Sequence, residues 1–166
     1  MGIKHKKMKG QYLENKVADT FKQIHNLNKD DVHRAQNSGN FVSEYGDVFF
    51  RDYNIIVECK NQQVVTFKSL FPKLSKEIEK FIQQLNDEER KFLENQGELA
   101  LRYLMFLVVS DSSKRFGPFV IADKNNVPFD SELVPHILTK DSNNHVYYIF
   151  PLEIYVEHLN INHFKR

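Results

Sequence analysis

The apolar positions in the first part of the chain recur with the spacing of a helix. The apolar side chains there are separated by four, four and three residues, and they are Leu13, Val17, Phe21 and Ile24. Such spacing puts them on one face and predicts a helix over residues 11–24. A second helical pattern, over residues 67–95, predicts a long helix.

Short runs of β-branched and aromatic residues predict the strands. Runs at 48–50 and 55–57 flank a polar four-residue segment and predict a tight hairpin, and residues 32–35 predict a further short strand. Residues 103–109 are continuously apolar, which is typical of a strand buried on both faces. The other expected elements are strands at 119–122 and 146–150 and a short helix at 152–159. This order predicts an α/β sandwich around a mixed sheet.

Composition excludes several classes of protein. The 166 residues suit one compact domain, and 41% of them are hydrophobic, which is enough for a core. The 23 Lys and Arg residues nearly balance the 22 Asp and Glu residues, so the net charge neither requires nor excludes a polyanionic partner. One cysteine, Cys59, cannot form an intramolecular disulfide. Because no apolar stretch is long enough for a membrane span or an export signal, we expect a cytoplasmic protein without membrane contact.

Basic residues are concentrated in two places. The first is residues 1–9, which we expect to form a mobile basic arm that either keeps the chain soluble or contacts nucleic-acid phosphates. The second is the predicted long helix, where basic side chains at spacings of three and four form a stripe. This stripe is either a solvated face or a track for a DNA backbone, and Lys68 is a similar candidate. The stripe consists of Lys73, Lys76 and Lys80.

The candidate chemistry lies in Gly46-Asp47 and, after the expected hairpin, Glu58-Cys59-Lys60. Side chains alternate between the faces of a strand, so Glu58 and Lys60 share one face. A two-residue turn would bring Asp47 to that same face, opposite either Glu58 or Lys60. An odd-length loop would turn Asp47 to the other face, so the hypothesis requires an even loop or a bulge.

Two carboxylates facing each other across strands need a positive charge between them. Mg²⁺ fits, because it favours one or two protein carboxylates, a backbone carbonyl such as that of Cys59, and waters. A metal-activated water can attack phosphorus, and Lys60 would orient or deprotonate that water or stabilise the growing negative charge. These parts indicate a phosphodiesterase, although an E-x-K pattern also occurs by chance on solvated strands.

The combination of these motifs resembles the PD-(D/E)XK nuclease superfamily, and within it most closely the Holliday-junction resolvases of archaea and phages. The resemblance covers about the first 110 residues: a helix with an acidic residue, R-x(3)-S-G, G-D, E-C-K, a long helix and a buried strand. It departs from the motif in that Gly46 replaces the proline. The segment after Phe116 matches nothing in the family pattern.

The resemblance implies roles for further residues. Glu14 would assist metal binding, with an ordinary solvated helix position as the alternative. Arg34, Ser38 and Gly39 would approach the scissile phosphate, with an ordinary loop as the alternative for the last two. Gln62 matches an E-x-K-x-Q variant and would either contact the water at the metal or be a surface glutamine.

The sequence thus predicts a restriction-endonuclease-like core, a mixed β-sheet flanked by helices, over residues 10–110, and a C-terminal α+β extension of the same domain over residues 111–166. The expected activity is Mg²⁺-dependent DNA cleavage, with Mn²⁺ able to substitute for Mg²⁺. Branched DNA is the expected partner of a homodimeric prokaryotic or phage-encoded enzyme. No Walker loop or dinucleotide fingerprint indicates a nucleotide cofactor.

Two alternatives remain open at this level. A restriction-like or mobile-element nuclease would use the same chemistry on a short recognised sequence, with the residues after Phe116 as the reader. A protein of another class, a non-catalytic nucleic-acid-binding protein, would keep the fold without the activity.

Overall fold

The computed structural model of the chain describes residues 2–35, 46–62, 72, 76, 103–111 and 117–166. Two α-helices are described with their full bounds, α1 (Gly2–His25) and α2 (Leu152–His158). Seven strands are described: β1 (Val32–Arg34), β2 (Val48–Phe50), β3 (Ile55–Gln62), β4 (Leu104–Asp111), β5 (Phe119–Asp123), β6 (Ile137–Lys140) and β7 (Val146–Pro151). Short 3-10 helices follow at Lys124–Asn126, Ser131–Leu133 and Ile161–Phe164.

Five strands form a mixed sheet in the order β3-β4-β5-β7-β6. The pairing of β3 with β4 is parallel and the other pairings are antiparallel. A parallel pair needs a long crossover connection, which the chain between Gln62 and Leu104 supplies. Strands β1 and β2 form a separate antiparallel pair. The mixed sheet flanked by helices confirms the α/β class and is consistent with a restriction-endonuclease-like fold.

The hydrophobic core lies between the sheet and the two helices. Leu13, Val17 and Phe21 of α1 are fully buried, and the Phe21 ring lies edge-on to Phe50, 4.9 Å between centroids. Tyr155 of α2 packs against the same layer. Full burial of a side chain such as Phe21 contributes about 2–3 kcal/mol. The periodic apolar face of α1 therefore fixes this helix, and with it Glu14, against the sheet.

The structure corrects two of the expectations from sequence. The predicted hairpin is wrong: β2 pairs with β1, whereas β3 pairs with β4. The expected mobile arm also differs, because the backbone of α1 is helical from Gly2 onward, so the helix begins nine residues before its predicted start. The basic residues of this segment are compatible with helix continuation, since lysine has a good intrinsic helix propensity.

Most of the other predicted elements are confirmed. The apolar run at 103–109 is β4, and the two later predicted strands are β5 and β7. The predicted terminal helix is α2. The predicted long helix lies outside the described residues except at positions 72 and 76, which are helical. The division into residues 1–9, 10–110 and 111–166 stays a prediction. In the part of the chain that the structure describes, no helix has the length and apolar character to cross a membrane.

Candidate active site

Gly46 allows the chain before β2 to pass directly against β3. Its φ of +82° lies in the left-handed region, which side chains other than glycine rarely adopt. A Cβ at this position would lie 2.6 Å from the carbonyl oxygen of Val57 and 3.1 Å from its nitrogen. Both neighbours are backbone atoms that cannot rotate away. A glycine is therefore required here by both backbone conformation and space.

This close approach sets the position of Asp47. The Asp47 N–H donates to the Val57 carbonyl over 2.7 Å, and the Ala35 N–H donates to the Asp47 carbonyl over 3.0 Å. The backbone of Asp47 thus bridges the β1 end of the small sheet and the middle of β3. The predicted requirement for an even hairpin loop does not apply, because β2 and β3 do not form a hairpin. The hydrogen bond from the Asp47 N–H to Val57 positions Asp47 against β3 instead.

The carboxylate of Asp47 is also attached to β3. Its Oδ2 accepts a hydrogen bond from the Cys59 N–H over 2.7 Å. A hydrogen bond to a charged acceptor contributes about 1.5–3 kcal/mol, so this contact restricts the side chain strongly. Asp47 therefore lies next to the residue that separates Glu58 from Lys60.

Glu58 and Lys60 lie on the same face of β3, two residues apart, as the alternation of strand side chains requires. The Lys60 Nζ donates to the Glu58 Oε1 over 2.8 Å. The two side chains keep 30% and 18% of their surface exposed, for lysine and glutamate respectively. This partial exposure leaves the ion pair accessible to a ligand from solvent.

Helix α1 brings Glu14 to the same group of charges. Glu14 lies one helical turn before the buried Ala18 and is itself mostly buried. Burial and, after it, the negative charges of Asp47 and Glu58 together raise the pKa of Glu14 to about 7, against the opposing positive charge of Arg34. The Arg34 Nη1 lies 3.8 Å from the Glu14 Oε2. The site thus brings together three carboxylates and two basic side chains: Glu14 from α1, Arg34 from β1, Asp47 from the residue before β2, and Glu58 and Lys60 from β3.

The thiol of Cys59 does not add a reactive group to this site. Its pKa is raised well above the ordinary value by burial and, beyond that, by the negative charges of Asp47, Glu14 and Glu58. A thiol needs a lowered pKa to act as a nucleophile or a metal ligand near neutral pH. Cys59 therefore contributes to the site through its backbone.

The chemistry of the donors fits a hard divalent cation. Within the described residues, no three His, Cys, Asp or Glu side chains are arranged as a ready-made metal cage. Mg²⁺ does not require one, because it is held by one or two carboxylates together with waters and substrate oxygens. Beyond the effect of burial, the negative charges of Asp47 and Glu58 raise the pKa of Glu14, and a bound cation would offset this repulsion between carboxylates. The residues present thus fit Mg²⁺ or Mn²⁺ better than a soft metal.

The structure describes only part of the set of residues expected at the site. Ser38, Gly39 and Lys68 lie outside the described residues, as do Lys73 and Lys80. For Gln62 only the backbone is described, at the end of β3. Lys76 is exposed at a helical position. These assignments stay predictions.

Two features of the site were missed at the level of sequence. The first is the ion pair between Glu14 and Arg34, for which no local spacing gives a signal, since the partners lie on α1 and β1. The second is the steric need for Gly46, which the sequence indicated only as a turn or bulge residue. A glycine in place of the motif's proline, directly before the acidic residue, was the available signal.

The model of a protein family, described as phage putative PDDEXK endonuclease, matches residues 5–115. The match covers more than half of the chain and includes every site residue discussed above. Strands β5, β6 and β7 and helix α2 lie beyond it. No curated protein matches the chain, and no solved structure does.

Proposed function

Because this chain belongs to the phage PDDEXK endonuclease family, we propose that it is a Mg²⁺-dependent DNA endonuclease that hydrolyses phosphodiester bonds. The observation that carries the proposal is the attachment of Asp47 to β3 beside Glu58 and Lys60. This attachment unites two motifs that are separated in sequence. A protein of this kind, encoded by a phage or a prokaryote, would act on DNA in the cytoplasm.

Asp47 and Glu58 would hold the cation, with the Cys59 carbonyl as a further oxygen ligand and Glu14 in support. When bound, Mg²⁺ supplies Lewis acidity and a lowered pKa for a coordinated water. Mn²⁺ would substitute, since it takes the same hard oxygen ligands. Asp47 is well suited to this role because its hydrogen bond to the Cys59 N–H restricts the carboxylate before any ligand binds.

Lys60 would act on the substrate phosphate. Its ammonium group lies 2.8 Å from a Glu58 oxygen, so the two side chains form a charge-assisted hydrogen bond. A charged lysine donates hydrogen bonds and stabilises growing negative charge, but it cannot accept a proton. We therefore favour charge stabilisation and orientation of the attacking water over general-base catalysis for this residue.

For the substrate, we propose branched DNA, cut by a symmetric homodimer in the manner of a Holliday-junction resolvase. Support comes from the sequence resemblance and from Arg34, whose guanidinium lies 3.8 Å from the Glu14 carboxylate and whose side chain is one-third exposed. Ser38, Gly39, Gln62 and Lys68 would complete the contacts with DNA. Two active sites related by a two-fold axis suit paired cuts in a symmetric junction.

A restriction-like or mobile-element nuclease is the second candidate. The observation that favours it is that residues 117–166 add three strands and a helix beyond the range of the family match. Such an addition can carry a reader for a DNA sequence, since function resides in sites that are added to a common fold. A non-catalytic nucleic-acid-binding protein is the candidate from another class.

Cleavage of a panel of labelled substrates distinguishes these candidates. The panel comprises a four-way junction, a fork, a linear duplex and a single strand, each incubated with Mg²⁺, Mn²⁺ or EDTA. Paired metal-dependent nicks confined to the junction support the resolvase. Cutting of linear duplex at defined positions supports the restriction-like enzyme. Binding without cleavage in any divalent metal supports the non-catalytic protein and overturns the proposed activity.

A further inference from the structure

Each carboxylate of the site is in contact with a group of the protein itself. Glu58 accepts from Lys60 over 2.8 Å, and Asp47 accepts from the Cys59 N–H over 2.7 Å. Glu14 has Arg34 at 3.8 Å. Lys60 and Arg34 thus place positive charge beside Glu58 and Glu14, the carboxylates to which a metal cation would also be attracted.

The contact between Arg34 and Glu14 is the weakest of the three. A separation of 3.8 Å is too long for a hydrogen bond, so the attraction is Coulombic, and this contact with Glu14 does not fix the orientation of the guanidinium. One-third of the Arg34 side chain is exposed, whereas Glu14 is 18% exposed. The arginine can therefore leave the glutamate for a partner in solvent without opening the core.

A cation at the carboxylates would change the balance of forces on Arg34. The arginine would then face a positive charge of two units next to Glu14, the carboxylate with which it pairs, and the repulsion would offset the attraction of Glu14. The planar guanidinium also matches the oxygens of a phosphate in a bidentate arrangement. A DNA phosphate is thus a better partner than Glu14 once the cation is bound.

We propose that Arg34 is an exchangeable counter-ion, which pairs with ionised Glu14 in the metal-free protein and moves to a DNA phosphate when the cation binds. This inference rests on the proposed function, because it assumes the metal site and a DNA substrate. Its consequence is reciprocal coupling: the cation releases Arg34 for the phosphate, and DNA that engages Arg34 removes a competitor of the cation.

Calorimetric titration of the DNA-free protein with Mg²⁺ alone, repeated with Mn²⁺, tests the first half of the exchange. Arg34→Gln removes the competing charge, so metal is expected to bind about three- to tenfold more tightly. Arg34→Lys keeps the charge and changes the shape, and it is expected to bind metal within about twofold of the parent. Melting temperatures of both variants show that they are folded.

The second half is tested by cleavage kinetics in saturating Mg²⁺. Arg34→Gln is expected to raise the KM for DNA about tenfold, as for loss of a charged hydrogen bond, with Arg34→Lys in between. A variant that binds metal more tightly and DNA more weakly is not explained by a merely structural ion pair, whose loss would weaken both.

The outcomes separate this inference from the proposed function. If the parent binds metal and cuts DNA, but Arg34→Gln binds metal no more tightly or leaves the KM unchanged, the exchange is overturned and the proposed function stands. If neither the parent nor its variants bind Mg²⁺ or Mn²⁺, both proposals are overturned.

Discussion

Substitution of Gly46 by alanine should damage both stability and the site. The added Cβ would lie 2.6 Å from the Val57 carbonyl oxygen, so the backbone must shift. The left-handed conformation costs about 1–2 kcal/mol for a residue with a Cβ. Loss of the 2.7 Å hydrogen bond from the Asp47 N–H to Val57 costs about 1 kcal/mol more. The free energy of unfolding should therefore fall by about 2–4 kcal/mol in total.

Urea denaturation of the metal-free protein measures this loss, and cleavage rates measured well below the melting temperature report on the site. Displacement of Asp47 by a fraction of an ångström should lower kcat by at least about tenfold. Gly117→Ala is the matched control, since its Cβ would meet no atom of the described residues within 4 Å. It should change stability by less than about 1 kcal/mol. Parental stability and cleavage in Gly46→Ala would refute the argument that the backbone approach positions Asp47.

Three further results are expected. Because the raised pKa of Glu14 is about 7 against an ordinary 4.5, its proton stabilises the folded state at low pH. The free energy of unfolding of the metal-free protein should therefore fall by up to about 3 kcal/mol as pH rises from 4.5 to beyond 7. Glu14→Gln, denatured in EDTA, should lack this dependence on pH. The same dependence in the variant would contradict the raised pKa of Glu14. The buried Tyr155 hydroxyl has no hydrogen-bond partner within the described residues, so Tyr155→Phe should leave stability unchanged or raise it by up to about 1 kcal/mol; a clear loss in urea denaturation would show an overlooked partner. At pH 8, Mg²⁺ should raise the melting temperature of the parent but not of Asp47→Asn, because a ligand stabilises only a fold that binds it; equal shifts would locate the cation elsewhere.

The predictable parts of the fold are those with a strong local pattern. Strand β4 is apolar from Leu104 to Val109 because both of its faces are buried there, and α1 carries an apolar face with helical spacing. Glu58 and Lys60 were predicted to share a face because side-chain alternation is a property of any strand. These features depend only on residues that are close together in the sequence, so they can be derived from the sequence alone.

The unpredicted parts depend on which distant segments meet. The pattern around residues 48–57 is the same whether β2 pairs with β3 or with β1, so the local sequence could not exclude the hairpin. Strand β6 was missed because it lacks the alternation of apolar and polar residues that marks a half-buried strand. Its adjacent apolar residues Ile137 and Leu138 are both exposed at the sheet edge. The contact between Glu14 and Arg34 likewise arises only when α1 packs on the sheet.

The most direct test of the account is metal-dependent cleavage by carboxylate variants whose DNA binding is measured in parallel. Asp47→Asn and Glu58→Gln are compared with Asp30→Asn and Glu157→Gln, which alter exposed carboxylates elsewhere. We expect the parent and both controls to cut DNA in Mg²⁺ but not in EDTA. The two site variants should bind DNA within about threefold of the parent while cutting at least about a hundredfold more slowly. Parental cleavage by either site variant, or DNA binding by the parent without cleavage in any divalent metal, would contradict the assignment of Asp47 and Glu58 as the metal-binding centre of a nuclease.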